Sequence, residues 1–336
     1  MCLAVKVQRA GSKYTQVSLD EIHLLEEVGR AREKAIERYG HACGGDCVVE
    51  LKGKFELGRP AKQMCMSFEM LGPSLLDLII DHGYKGLPLP IARQIAKHCL
   101  SGLNFLHACG IVHTDVKPEN VLLTLPKGGE QPVPGDGTPV WWAKNSHRLD
   151  GAWKLRTGWS DDLNEGNIGA KLVDLGNSCF DNHHFSDNIQ TIEYRSPEVV
   201  IGAGYSTSAD IWSTACTIFE LVTGEYLFDP HQGDGYSREE DLLAHHQELL
   251  GKFSKEFALS GKHSPKQFDE AGNMRNVPNL RFWNLVDVLV DKYGWESTVA
   301  NEFADFLLPM LCPDPKHRST AAERLAHPWL AQAVMA

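Results

Sequence analysis

A chain of 336 residues with 44 acidic against 33 basic side chains has a formal net charge of −11, a poor balance for gripping a polyanion and a fair one for basic peptides, although the same charge would also serve solubility alone. At 43% hydrophobic, it is long enough for two lobes with room for an insert. There is no run of 18 or more apolar residues, and the N-terminus MCLAVKVQRAG lacks the features of a signal peptide, so neither a membrane span nor export is expected.

In chain order, LAVKV at 3–7 predicts a short strand. Apolar positions 19, 22, 24, 25 and 28 near helical spacing predict a helix over 15–28, with Thr15 as N-cap. CVVELKGKFEL and QMCMSFEML predict two strands, and GPSLLDLIIDHG a short helix after a Gly-Pro turn. PIARQIAKHCLSGLNFLHACG is a long amphipathic helix ending at Gly110. IVHTDVKPENVLL reads as two short strands around a polar loop, and KLVDLGN as a strand with a tight turn. From about residue 208 the chain is mainly helical, and no internal repeat occurs.

Residues 124–170 interrupt the pattern with Pro, Gly and four of the eight tryptophans, Trp141, Trp142, Trp153 and Trp159. The segment reads as an insertion between two strands, its tryptophans serving either a docking surface or packing on the host lobe. The nine cysteines are odd in number and scattered, which predicts reduced thiols of the cytosol or nucleus. His41, Cys43 and Cys47 lie close together, but no second ligand pair follows at zinc spacing, so no metal is expected there.

The chemistry lies in HTDVKPEN at 113–120. Phosphoryl transfer needs a carboxylate to orient a hydroxyl and take its proton, with cations and metal ions on the phosphate oxygens. Asp115 supplies the base, Lys117 a charge beside the transferring phosphate, and Asn120 an oxygen for Mg²⁺. The string resembles the protein-kinase catalytic loop at each chemical position. DLG at 174–176 stands where that family has its Asp-Phe-Gly turn, which makes Asp174 a Mg²⁺ ligand and Leu175 an apolar plug. On the same resemblance, Lys6 of AVKV grips the α- and β-phosphates of ATP and Glu21 pairs with it, although such pairs also occur on surfaces. Phe68 to Leu71 would be gatekeeper and hinge, with backbone groups of Glu69 and Leu71 against adenine. SPE at 196–198 matches the Ala-Pro-Glu element, so Glu198 is expected to pair with Arg318, and Asp210 to hold the catalytic loop.

Over nearly the whole chain outside 124–170, and most specifically over QTIEYRSPEVVIGAGYSTSADIWSTACTIFELVTGEYLFDP, the sequence resembles the SR-protein kinases. The resemblance implies an α+β, bilobal fold: a small, mainly β N-lobe over 1–70, a mainly α C-lobe over 71–123 and 171–331, and the insert between. It implies a Ser/Thr kinase that uses ATP and Mg²⁺ on Arg/Ser-rich splicing proteins, in cytoplasm and nucleus, as a monomer, without binding nucleic acid or membrane. Thr114 stands where most kinases carry an arginine that awaits a phosphate on the activation loop, so constitutive activity is implied. SREEDLLAHHQELL reads as a helix with a capping box from Ser237 to Glu240. Its Asp241 and Glu248, with Glu225 nearby and Lys292 as a further position, match the family groove that docks substrate arginines; the plain alternative is a solvated helix face.

The sequence given starts at the lysine strand, so the glycine-rich phosphate loop and its two strands are not in it, and a truncated N-lobe with weakened ATP binding is expected. Two other readings stay open: a non-catalytic module that binds Arg-rich proteins, and a kinase for a different basic substrate.

Overall fold

The computed structural model describes residues 3–58, 63–125, 168–277 and 279–331. Its smaller part is an antiparallel sheet in the order β1-β3-β2, from β1 (Leu3–Val7), β2 (Leu51–Leu57) and β3 (Gln63–Glu69), with Lys6 opposite Met66. The run read as a strand from Cys47 joins the sheet only at Leu51, because Gly45–Cys47 make a 3-10 turn.

The helix read as 15–28 spans Ser12–Tyr39 (α1). It starts after Gly11, so Thr15 is not its cap; the Thr15 hydroxyl instead donates to Gly11 O at 3.1 Å. Beyond Val28 the stretch GRAREKAIERY is rich in Ala, Arg, Glu and Lys, strong helix formers that carry the helix on with few apolar positions. It stops at Gly40, whose φ of 75° suits glycine and whose N–H bonds Ile36 O. Ser18, Glu21, Ile22, Leu25, Val28 and Arg32 form its buried stripe. Arg32 ties the helix to the following turn by donating to Gly45 O (3.0 Å) and Val48 O (2.9 Å).

The larger part begins with α2 (Leu75–Asp81), capped reciprocally by Ser74 and Asp77, and α3 (Leu89–Ala108). Two short ladders follow: β4 (Ile111–Val112) with β7 (Cys179–Phe180), and β5 (Val121–Leu123) with β6 (Ala170–Leu172). Then come α4 (Pro197–Ile201), α5 (Ser208–Thr223), α6 (Arg238–Leu250), α7 (Ser297–Leu307) and α8 (Ala321–Leu325). After its first residue α5 is buried along its whole length, so the other helices pack around it. One apolar cluster runs from Ile22 and Met66 through Trp212 to Trp329, joining the two parts.

Thr124 N donates to Gly169 O (2.8 Å), extending the β5–β6 ladder by one step into what was read as insert. The four tryptophans of that segment lie outside the described residues. The described cysteines are free thiols, and no described helix is long and apolar enough to cross a membrane.

On α6 the capping box closes, with Ser237 Oγ accepting from Glu240 N and Glu240 Oε2 from Ser237 N. Its inner face buries Leu242 and Leu243, and also His246. That ring packs edge-on against Trp212 (4.7 Å) and Phe228 (4.5 Å), and neither ring nitrogen has a hydrogen-bond partner among the described residues. Burial pushes the imidazole well below its usual range, so it stays neutral in the fold. An unfolded imidazole takes a proton below about pH 6.5 and the folded one does not, so this residue costs stability as pH falls through that value. His246→Leu is expected to raise stability by about 1–3 kcal/mol, the cost of orphaned buried polar atoms, and to flatten the acid side of the profile. Urea unfolding between pH 5 and 8 reads both effects; an unchanged or lower midpoint counts against them.

Candidate active site

The apolar ends of IVHTDVKPENVLL are buried as β4 and β5, and the polar middle loops out between them. Asp210, at the start of α5, accepts from His113 N (2.8 Å), Thr114 N (2.8 Å) and His107 Nε2 (2.9 Å), fixing the loop's first turn. Thr114 takes φ 70° and donates from its hydroxyl to Asn177 O (2.9 Å), while Ser178 Oγ donates to His113 O (3.0 Å). The loop is thereby bound to the turn after Asp174.

Asp115 sits at the centre of a polar knot. Its carboxylate accepts from Thr191 Oγ1 (2.9 Å) and Asn120 Nδ2 (3.1 Å), with Lys117 Nζ at 3.0 Å. Lys117 also donates to Thr191 Oγ1 (2.8 Å), and Asn120 Nδ2 to Asp115 O (2.8 Å). Val173 N donates to Asn120 O (3.0 Å), which ties the residue before Asp174 to the end of the catalytic loop.

A second knot faces Asp174. Lys6 Nζ reaches Glu21 Oε1 (2.7 Å), Glu21 Oε2 (2.9 Å) and Asp174 Oδ1 (2.8 Å). Burial works to lower the Lys6 pKa, but the Asp174 and Glu21 carboxylates outweigh it and hold the ammonium above the usual lysine value. Asp174 takes φ 63°, and Gly176 packs closely on the knot: a Cβ there would lie 3.2 Å from Asp174 Oδ1 and 3.3 Å from Glu21 Oε2, so these side chains would have to shift by a few tenths of an ångström.

Glu69 closes β3, and its side chain is a strut, accepting from Lys171 Nζ (2.7 and 2.9 Å) and Glu50 N (3.1 Å). Leu71 follows, half-buried against the core. Beneath the site, Glu198 and Arg318 form a two-pronged pair (2.6 and 2.7 Å), both side chains fully buried.

The groove residues are already engaged within the chain. Asp241 Oδ2 accepts from His231 N (2.8 Å) and has His245 Nε2 at 3.6 Å; Glu248 Oε1 accepts from Arg281 N (2.8 Å). Glu225 pairs with Lys292 (2.7 Å) and Tyr293 OH (3.1 Å), and the Lys292 hydrogen bond holds the Glu225 carboxyl below its usual range. Lys292 is thus the partner of Glu225, and these two meet each other while Asp241 and Glu248 each pin a neighbouring loop.

Sequence reasoning missed Thr191, which bridges Asp115 and Lys117, and Gln190. Gln190 takes φ 66°, donates to Ala209 O and Ser213 Oγ (both 2.9 Å), accepts from Ser196 N (3.0 Å), and bonds Thr114 O through its own N–H (3.0 Å). It also missed Glu220, buried under Tyr194 OH (2.6 Å) and pushed up to about 7 by burial. Their neighbours are distant in sequence, so no local spacing signals them.

The chain matches the model of the protein kinase domain over residues 4–330. It is 38% identical to the serine/threonine-protein kinase SRPK of Physarum polycephalum, over 98% of this chain and 79% of that one. It is 34% identical to protein kinase dsk1 of Schizosaccharomyces pombe (98% and 75%) and 31% identical to SRSF protein kinase 3 of Mus musculus (98% and 81%).

Proposed function

The chain belongs to the protein kinase family, among the SR-protein kinases, and from that premise we propose that it moves the terminal phosphate of ATP to serines in Arg/Ser-rich proteins of the cytoplasm and nucleus. The observation that carries the reading is the knot around Asp115, whose carboxylate is held by Thr191, Lys117 and Asn120.

In this reading the serine Oγ–P bond forms, the bond from phosphorus to the β-phosphate oxygen breaks, ADP leaves, and the hydroxyl proton goes to Asp115. Thr191 and Asn120 orient that carboxylate, and Lys117 balances charge at the transferring group. Lys6, steadied by Glu21, offers its ammonium to the α- and β-phosphates. Asn120 Oδ1 and the Asp174 carboxylate are hard oxygen donors that suit Mg²⁺, which when bound neutralises charge on the phosphate oxygens. The Thr114 hydroxyl bonds Asn177 O and the Gln190 N–H bonds Thr114 O, joining the catalytic loop to the activation segment, which supports activity without a phosphorylated loop.

Transfer of labelled phosphate from Mg-ATP to an Arg-Ser peptide, with an acidic peptide as control, tests the proposal. Transfer to the first alone is expected; none, or equal transfer to both, overturns it. For the groove, Asp241→Asn is expected to raise KM for the Arg-Ser peptide about tenfold, from loss of one charge-assisted contact, with kcat little changed. An unaltered KM would remove Asp241 from substrate docking.

A further inference from the structure

Between buried Cys179 and buried Ile189 lies a stretch, Asp181 to Asn188, in which every residue is exposed. Hydrophobic burial therefore does little to hold it. Yet it leads directly into Gln190 and Thr191, which bond Thr114 O (3.0 Å) and the Asp115 carboxylate (2.9 Å). Whatever orders these exposed residues also sets how steadily the catalytic base is held.

The ends of the stretch are tied by Asp181 N, which donates to Gly110 O (2.8 Å), and by the Arg195 guanidinium, which donates to Ile189 O (3.1 Å) and Gln190 O (2.9 Å). In its middle Lys262 pairs with Asp187, but both side chains are exposed, and such pairs are worth little. Tyr205 does more. It follows Gly202 (φ 69°) and Gly204 (φ 88°) in the turn between α4 and α5, and its half-buried ring packs on the cluster of Ile189, Val199 and Ala209. The ring stacks on His184, with centroids 3.9 Å apart and planes 8° from parallel. Its hydroxyl donates to Ser186 O (2.8 Å) and has Cys179 Sγ at 3.6 Å. One stiff side chain, anchored in the C-lobe, thus reaches the buried start of the stretch and two points in its exposed middle.

We propose that Tyr205 is a positioning residue for phosphoryl transfer: it pins residues 181–188 so that Gln190 and Thr191 stay bonded to the catalytic loop. The proposal rests on the reading of the chain as a kinase that works without a phosphorylated loop. An aromatic pair and a hydrogen bond are each worth about two- to tenfold in the closed population, and losing both compounds the effect. The nucleotide side of the cleft, held by Lys6, Glu21 and Asp174, has no part in this pin.

Chymotrypsin cleavage after exposed Phe185, followed by mass, reads the order of the stretch without reference to catalysis. Tyr205→Ala is expected to speed that cleavage about tenfold or more and to lower kcat for an Arg-Ser peptide by a similar factor, with nucleotide affinity unchanged. Tyr205→Phe keeps the stack and should recover part of both losses. Should Tyr205→Ala fail to fold, His184→Ala serves instead: its side chain is exposed, and loss of the stack alone should give about two- to tenfold in each readout. Lys262→Ala, which removes only the surface pair, should change neither by more than about twofold. Unaltered cleavage in the Tyr205 and His184 variants, faster cleavage with unchanged kcat, or an equal effect from Lys262→Ala would overturn the proposal. A wild-type chain that transfers no phosphate would count against the function proposed above, while cleavage at Phe185 would still decide whether Tyr205 pins the stretch.

Discussion

Asp115→Asn is expected to lower kcat by about 10²–10⁴-fold while leaving the unfolding midpoint nearly in place. The amide has the shape of the carboxylate but cannot take the serine proton. Thr191 can still donate to its oxygen, and Asn120 stays anchored through Asp115 O, a backbone contact the substitution does not touch. Lys117 keeps Thr191 as an acceptor at 2.8 Å, so no ammonium is left stranded. Lys6 is held by Glu21 and Asp174 rather than by the Asp115 knot, so nucleotide affinity should hold. Single-turnover transfer to an Arg-Ser peptide, beside nucleotide titration and thermal unfolding, separates these effects. A variant that keeps a tenth or more of wild-type kcat would show that another group takes the proton.

The largest loss of stability is expected from Glu198→Ala, about 3–5 kcal/mol, because it leaves a guanidinium buried without its counter-charge. Arg318 would keep the carbonyls of Ser208 (3.0 Å), Cys312 (2.9 Å) and Pro313 (3.2 Å), and its stacking 5.0 Å over Trp212. These satisfy donors but do not neutralise charge. Adding Arg318→Leu should recover part of the loss, since an apolar pair avoids desolvating either ion. Denaturant unfolding of the two single variants and the double variant gives the coupling directly. Additive losses would mean that the two side chains act independently, despite their 2.6 Å contact.

What could be read from the sequence divides by the range of the forces involved. HTDVKPEN was legible because its chemistry is packed into eight consecutive residues, and Asp115, Lys117 and Asn120 meet within that span. The capping box at Ser237 and Glu240 was legible because its bonds close over three residues. The far half of α1 was not, because its apolar stripe thins beyond Val28 and propensity alone sustains the helix to Tyr39. Gln190 was hidden because its side chain answers to α5 and its backbone to Thr114, partners separated from it by 19 to 76 residues. The groove carboxylates were identified as residues but not in their state: that His231, Arg281 and Lys292 already occupy them follows from loop conformation, which has no spacing rule.

The bond from Thr124 N to Gly169 O has a consequence for how this fold tolerates change in length. Any chain joining those two residues must come back to within about 5.5 Å of where it left. Loop closure entropy rises only with the logarithm of length, so doubling that chain adds about 0.6 kcal/mol. A single residue added between His113 and Asn120 would instead break bonds to Asp210 or within the Asp115 knot. Insertions and deletions should therefore accumulate at this doorway, and replacing 126–167 by a short turn should leave the unfolding cooperativity of the remainder intact.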